Sequence, residues 1–167
     1  MNSSAETGDA GRTAVVIVSS TRAAAGQYTD TTGPIIVEWL RARGFRTDEP
    51  LVVADGPDVA AALRESLAKS PDLLITTGGT GIGAGDVTAD ATAAILDKAL
   101  PGFSEELRRR GSTKTPFALM SRGVAGLAGG TFVVNLPGST GGVKDGLELL
   151  GEVIDHVFDQ RDGGRHD

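Results

Sequence analysis

The chain has 167 residues, the size of one ordinary domain, enough for a single core to bury most of its apolar surface. Its net charge of −6 excludes a general electrostatic grip on DNA or RNA, which needs a net basic face, although a local basic pocket stays open. With no cysteine there is no disulfide framework, thiolate nucleophile or cysteine-based metal site. A histidine metal cluster or a Ser-His-Asp triad would rest on His156 alone, since the other histidine, His166, lies in the polar run RDGGRHD.

Twenty-four glycines are roughly double the usual share, while 40% hydrophobic residues exclude a disordered chain, so the glycine serves turns and close backbone approaches. Residues 1–11 are polar, lack an apolar signal-peptide region and read as a disordered lead. No apolar run reaches the length of a membrane span. The expectation is a cytoplasmic protein of one domain over residues 12–160, followed by a polar tail over 161–167.

The β-branched run AVVIVS at residues 14–19 predicts a strand buried on both faces. A polar stretch follows, and Pro34 and Gly44 bracket a helix, PIIVEWLRARG. Residues 51–54 form a second short strand, Asp55-Gly56-Pro57 a turn, and residues 57–70 an Ala/Leu-rich helix. DLLITT is a third strand running directly into GGTGIGAGD. A helix is expected from about Thr88 to Ala99, then a shorter charged helix, FSEELRRRG. Residues 117–121 (strand or helix) and 131–135 are further strand candidates, with the glycine-rich RGVAGLAGG read as a loop between them. KDGLELLGEVIDHVFDQ closes the chain as a helix. Alternating strands and helices predict a parallel sheet covered on both faces.

The glycine loop carries the most information. Five glycines (Gly78, Gly79, Gly81, Gly83, Gly85) follow a buried strand and precede Asp86 and a helix start. In an open parallel sheet, ligands bind beyond the carboxyl ends of the strands. Glycines let backbone N–H groups approach an anion, and the next helix N-terminus adds a partial positive charge. The loop is not a Walker A motif, because no Gly-Lys-Ser/Thr follows. It is also a poor dinucleotide fingerprint, since it follows the third strand, and dinucleotide binding is the weaker reading. Asp86 is either a cap for the helix near Thr88 or a functional carboxylate. A carboxylate beside a phosphate is repelled unless a divalent cation lies between them, and Mg²⁺ accepts one or two carboxylates with phosphate oxygens and water. Asp55, after the second strand, falls on the same rim, with a turn-forming role as its alternative.

The run TTGGTGIGAGDVTADAT, followed by PGF, TPFALMSR and NLPGS, resembles the molybdopterin-binding domain of molybdenum-cofactor biosynthesis, most of all the molybdopterin adenylyltransferases of the Mog/MoaB type. The likeness runs from about Arg12 to Gln160. It implies a three-layer α/β/α fold with a mostly parallel sheet, a homotrimer, and transfer of AMP from ATP to the phosphate of molybdopterin with Mg²⁺ and release of pyrophosphate. By resemblance, Gly78, Gly79, Thr80 and Gly81 form the substrate loop. Asp86 and Asp55 are the acids of the adenylylation chemistry, and Ser112 and Lys114 lie in the segment contacting the pterin phosphate. Ser121 and Arg122 match a Ser-Arg pair, and Asn135, Pro137, Gly138 and Ser139 form a second loop. The chain has Gly85 where the family often has Arg, and Ser19-Ser20 where it often has Ser-Asp. Gly-Asp in the loop occurs in the MoaB branch, so the alternative reading is a non-catalytic molybdopterin-binding or carrier protein. A scaffold role, as in gephyrin, has no linker or partner motif here to carry it.

The chemistry suits this composition. Phosphoryl-type transfer needs positioning and charge stabilisation rather than a covalent nucleophile from the protein. The substrate phosphate is already ionised at neutral pH, so Asp55 and Asp86 are assigned to holding Mg²⁺ and orienting substrate, not to removing a proton. Elsewhere, Arg108-Arg109-Arg110 reads as a solvated helix end, Trp39 as core or subunit interface, and His156 as a partly buried structural residue. Tyr28 anchors its loop or stacks on an aromatic ligand, and Asp30 and Gly33 read as a helix entry.

Overall fold

The computed structural model describes residues 11–164. The expected disordered lead falls outside this range except for Gly11, whose N–H donates to the Gly44 carbonyl.

Strand β1 (Thr13–Ser19) lies inside a sheet with β2 (Arg46–Thr47), β3 (Leu51–Val53), β4 (Leu73–Thr77), β5 (Lys98–Ala99), β6 (Ala125–Ala128) and β7 (Thr131–Leu136). The order is β2-β1-β4-β7-β6-β5, with β3 also on β1. β2 pairs the start of β1 (Thr13 with Arg46) and β3 its end (Ile17 with Leu51), so two short strands share one edge. The β1, β4 and β7 ladders are parallel, while β6 and β5 run antiparallel at the other edge.

The helices are α1 (Thr21–Ala24), α2 (Thr32–Ala42), α3 (Pro57–Leu67), α4 (Thr88–Ala93), α5 (Pro101–Ser112) and α6 (Thr140–Arg161), with a 3-10 turn at Pro116–Met120. Side chains of a strand alternate between faces, and here they feed two cores. Val16, Leu73, Ile75, Phe132 and Val134 pack with α2, α5 and α6. Ile17, Leu74 and Val133 pack with Val59 and Leu63 of α3. The three-layer α/β/α arrangement with a mostly parallel sheet is therefore present. Among the described residues, no helix is long and apolar enough to cross a membrane.

Several elements differ from the sequence expectation. The helix from Thr88 ends at Ala93 rather than Ala99, because Lys98–Ala99 pairs with β6 and the Asp97 carboxylate accepts from Gly129 N–H at 2.6 Å. The supposed loop RGVAGLAGG contains β6. Gly126 is needed there, since a side chain would press on β5, with Ala99 Cα only 3.1 Å from its Cβ position. Residues 117–121 take the helical of the two alternatives, most of them lying in the 3-10 turn. Helix α2 starts at Thr32, two residues before Pro34. Its entry is held by the Asp30 carboxylate, which accepts from Gly33 N–H at 3.1 Å. Helix α6 runs to Arg161, whose guanidinium pairs with Asp72 at 2.9 Å.

Candidate functional site

All five residues of β4 are buried, and the strand delivers the chain at the sheet rim to Gly78 and Gly79, with φ of +87° and +69°. These left-handed conformations strain any residue with a Cβ. The Gly79 carbonyl accepts from Thr88 N–H at 3.1 Å, closing the base of the loop. Asp86 folds the loop onto itself: its N–H donates to the Gly83 carbonyl, and its Oδ2 accepts from Gly83 N–H, both at 3.0 Å. Asp86 does not cap α4, whose N-cap is Val87 with no side-chain hydrogen bond.

Asp55 follows β3. Its Oδ1 accepts from Ser19 Oγ at 2.5 Å, and its Oδ2 accepts from Thr21 Oγ1 at 3.1 Å and Thr21 N–H at 3.4 Å. β1 lies between β3 and β4, yet the two loops meet: a Cβ at Gly85 would sit 3.7 Å from Asp55 Cβ. Asp55 and Asp86 are both half-buried on this shared rim.

Beside the loop is a cavity of 420 Å³ whose wall includes Thr80, Gly81, Lys114, Ser121, Asn135, Pro137 and Ser139. A smaller cavity of 170 Å³ is lined by Ser19, Ser20, Tyr28, Asp30, Gly78 and Gly138. Gly78 and Gly138 meet closely, a Cβ at Gly138 lying 3.4 Å from Gly78 Cα. Gly79, Ser112, Arg122, Asp55 and Asp86 line neither cavity. Ser112 Oγ instead donates back along its helix to the Arg109 carbonyl at 2.7 Å.

Arg122 is engaged inside the protein. Its N–H donates to the Thr80 carbonyl at 2.8 Å, its Nε to the Gly81 carbonyl at 2.9 Å, and its Nη2 to the Asp86 carbonyl at 2.7 Å. The outer edge of the guanidinium pairs with both oxygens of Asp90, at 2.9 and 3.1 Å. Hydrogen bonding to Arg122 holds the Asp90 carboxyl below its usual range, and the same bond raises Arg122.

Asn135, buried on β7, uses its whole amide. Oδ1 accepts from Val124 N–H at 3.1 Å, and Nδ2 donates to Thr76 Oγ1 at 2.8 Å and Thr92 Oγ1 at 3.0 Å. It ties β4, α4 and the approach to β6 together beneath the cavity. The Pro137 carbonyl accepts from Thr77 Oγ1 at 2.8 Å, and Ser139 caps α6 by accepting from Gly142 N–H at 3.1 Å.

The helix dipole is placed differently from the expectation. Helix α4 has only 6 residues, whereas α6 has 22, and its first turn (Ser139, Gly141, Gly142) lies in the large cavity's wall. Reading the sequence also missed one face of α5. Ser104, Leu107, Arg108 and Gly111, at helical i, i+3, i+4 and i+7 spacing, all line the cavity. Arg108 is not a solvated end: it donates to the Ser121 and Gly123 carbonyls at 3.3 and 3.2 Å. Asp145 of α6 was missed as well. It pairs with Lys114 at 2.6 Å. His156 is exposed rather than partly buried, and its Nε2 lies 2.7 Å from Gln160 Nε2.

Residues 14–156 match the family model described as "Probable molybdopterin binding domain". The chain is 37% identical over 146 residues to the molybdopterin adenylyltransferase of Escherichia coli K12, covering 82% of this chain and 74% of that protein. It is 39% identical over 156 residues to a molybdenum cofactor biosynthesis bifunctional protein of Chlorobaculum tepidum. That match takes in 93% of this chain and 50% of the relative, so the chain spans about half the length of such bifunctional relatives. Among solved structures, the molybdopterin biosynthesis Mog protein from Mycobacterium ulcerans superposes with a TM-score of 0.86 at 52% identity, covering 90% of this chain and 99% of that one. By sequence over nearly its whole length, and by fold, this chain belongs to the molybdopterin adenylyltransferase family of the Mog/MoaB type.

Proposed function

We propose that the chain transfers the adenylyl group of ATP to the terminal phosphate of molybdopterin and releases pyrophosphate. The observation that carries this reading is the approach of the Asp55 loop to the glycine loop at Gly85, the residue before Asp86, beside a 420 Å³ cavity. A phosphate oxygen of molybdopterin attacks the α-phosphorus of ATP, a new P–O bond forms, and the bond from the α-phosphorus to the α–β bridging oxygen breaks. The nucleophile is already an anion, so no general base is required.

The donor set suits a hard cation. Among the described residues, no group of three or more His, Cys, Asp or Glu gathers to hold a metal by itself. Two carboxylates with room for phosphate oxygens and water fit Mg²⁺, which keeps part of its hydration shell. Asp55 and Asp86 would hold it, and it would neutralise the triphosphate. The protein supplies the rest by position. Ser19 and Thr21 orient Asp55, Gly83 N–H orients Asp86, and the backbone amides of the glycine loop and the first turn of α6 receive the anionic tail. The smaller cavity beyond Gly78 and Gly138, with Tyr28 50% exposed at its edge, is open to the nucleotide. We assign a homotrimer as the working assembly. Leu119, exposed at 61% and outside the cavity wall, offers apolar surface for a neighbouring copy.

Purified protein given molybdopterin, ATP and MgCl₂ should form adenylylated molybdopterin with stoichiometric pyrophosphate. Pterin binding without pyrophosphate release would instead identify a carrier of the MoaB branch. Sedimentation showing only monomer would remove the trimer.

A further inference from the structure

We propose that the Lys114–Asp145 ion pair reads the pyrimidine edge of the pterin and thereby sets the direction in which the substrate lies in the cavity. This rests on the reading above that the cavity takes molybdopterin.

The large cavity has few charges. Of the arginines and lysines on its wall, Arg108 already serves two main-chain carbonyls, which leaves Lys114 with Asp145 as partner. Around them the wall includes Leu107, Phe117 and Met120. The Asp145 side chain is 14% exposed while that of Lys114 is 63% exposed, so the carboxylate is sunk in the wall and the ammonium reaches over it. Asp145 Oδ1 takes the Lys114 bond at 2.6 Å, and among the described residues no side chain or backbone N–H is bonded to Oδ2.

The chemistry of this pair selects a ligand edge. A carboxylate only accepts hydrogen bonds and an ammonium only donates them. A 2-amino-4-oxopteridine presents N3–H and the 2-amino group as adjacent donors, with the O4 acceptor beside them. The donors match Asp145, and O4 matches the neighbouring Lys114. Adenine places one amino donor beside the N1 acceptor, so it cannot satisfy the same carboxylate with two donors. A phosphate is a worse fit, because its charge would face the Asp145 carboxylate, so Lys114 meets the pterin ring rather than the phosphate contact that the resemblance implied. The anionic end therefore lies at the other part of the cavity, against Thr80, Gly81 and the first turn of α6, next to Asp86. The pterin head lies at Asp145, and the phosphate points toward the rim where transfer takes place.

The test uses the full chain and two fluorescent probes, 6-hydroxymethylpterin and 6-hydroxymethyllumazine, which differ in carrying a 2-amino or a 2-oxo group. Wild type should bind the pterin at least roughly tenfold more tightly, because the 2-oxo group turns an acceptor toward Asp145. Asp145→Asn should abolish that preference and raise the KM for molybdopterin. Lys114→Met should weaken both probes while keeping the preference. Equal binding of the two probes by wild type, or a preference retained in Asp145→Asn, overturns the proposal, and the wild-type comparison holds even if Asp145→Asn does not fold. A wild type that prefers the pterin but releases no pyrophosphate would defeat the transfer reading and leave this one standing. Turnover of molybdopterin with an unchanged KM in Asp145→Asn would do the reverse.

Discussion

Arg122 holds Asp86 by its backbone: Nη2 donates to the Asp86 carbonyl at 2.7 Å, while the Asp86 carboxylate is left to face Gly83 and the rim. The same guanidinium reaches the Gly81 carbonyl and both oxygens of Asp90, so one side chain spans the glycine loop from Gly81 to Asp86. In the proposed reaction Arg122 is a positioning residue, acting on the chemistry through the placement of Asp86.

Arg122→Ala should lower kcat roughly 10²-fold, the scale of a misplacement of about 1 Å at a reacting centre, with a smaller change in the KM for molybdopterin. Arg122→Lys keeps the charge but loses the planar fork that reaches Gly81, Asp86 and Asp90 at once, so it should recover only part of the rate. Steady-state kinetics of both variants would check this. A KM effect with kcat intact would mean direct substrate contact instead.

Asp55→Asn and Asp86→Asn retain side-chain size and one carbonyl acceptor each, so Ser19 and Gly83 keep a partner. Each should cut adenylyl transfer by roughly 10²-fold or more and raise the MgCl₂ concentration needed for half-maximal rate. Pyrophosphate release measured across a MgCl₂ series tests both. Undiminished turnover in Asp86→Asn would remove that residue from the mechanism.

Asn135→Ala strips three hydrogen bonds from a buried position and leaves Val124 N–H without its acceptor. The expected loss is about 1–3 kcal/mol of folding stability, readable by urea unfolding as a lower midpoint with an unchanged slope.

Asp90 gives a pH dependence of defined sign. Its carboxyl is held below the ordinary value of 3.8 by Arg122, so the stabilisation is fully present above the unfolded pKa and disappears as pH falls through the folded one. Wild type should melt above Asp90→Asn at pH 7, and the gap should close as the pH drops below about 4. Thermal melts at pH 7, 5, 4 and 3 follow it. A gap that stays constant with pH would show that the pair does not act through ionisation.

Much of the fold was readable from local pattern. The β-branched run of β1 and the apolar stretch of β4 mark central strands because such strands are buried on both faces and need no alternation. The glycines after β4 mark the rim because only glycine sits easily at the φ of +87° and +69° found at Gly78 and Gly79. β5 and β6 escaped notice because neither carries a strand signature. Residues 94–99 have good helix formers, and AGLA has no β-branched residue. Their state was decided by pairing with each other and with β7.

The site divides in the same way. Residue types alone excluded thiolate chemistry and left a single histidine, His156, outside the polar tail, which pointed the proposed site toward backbone amides and carboxylates. Local spacing also determined that a glycine loop follows a buried strand. Which groups face the cavity was decided only by tertiary packing, because a side chain's role depends on what the fold brings beside it. Packing turned Arg122 inward onto the loop, placed the first turn of α6 rather than α4 at the cavity wall, and set Asp145 against Lys114 from 31 residues away.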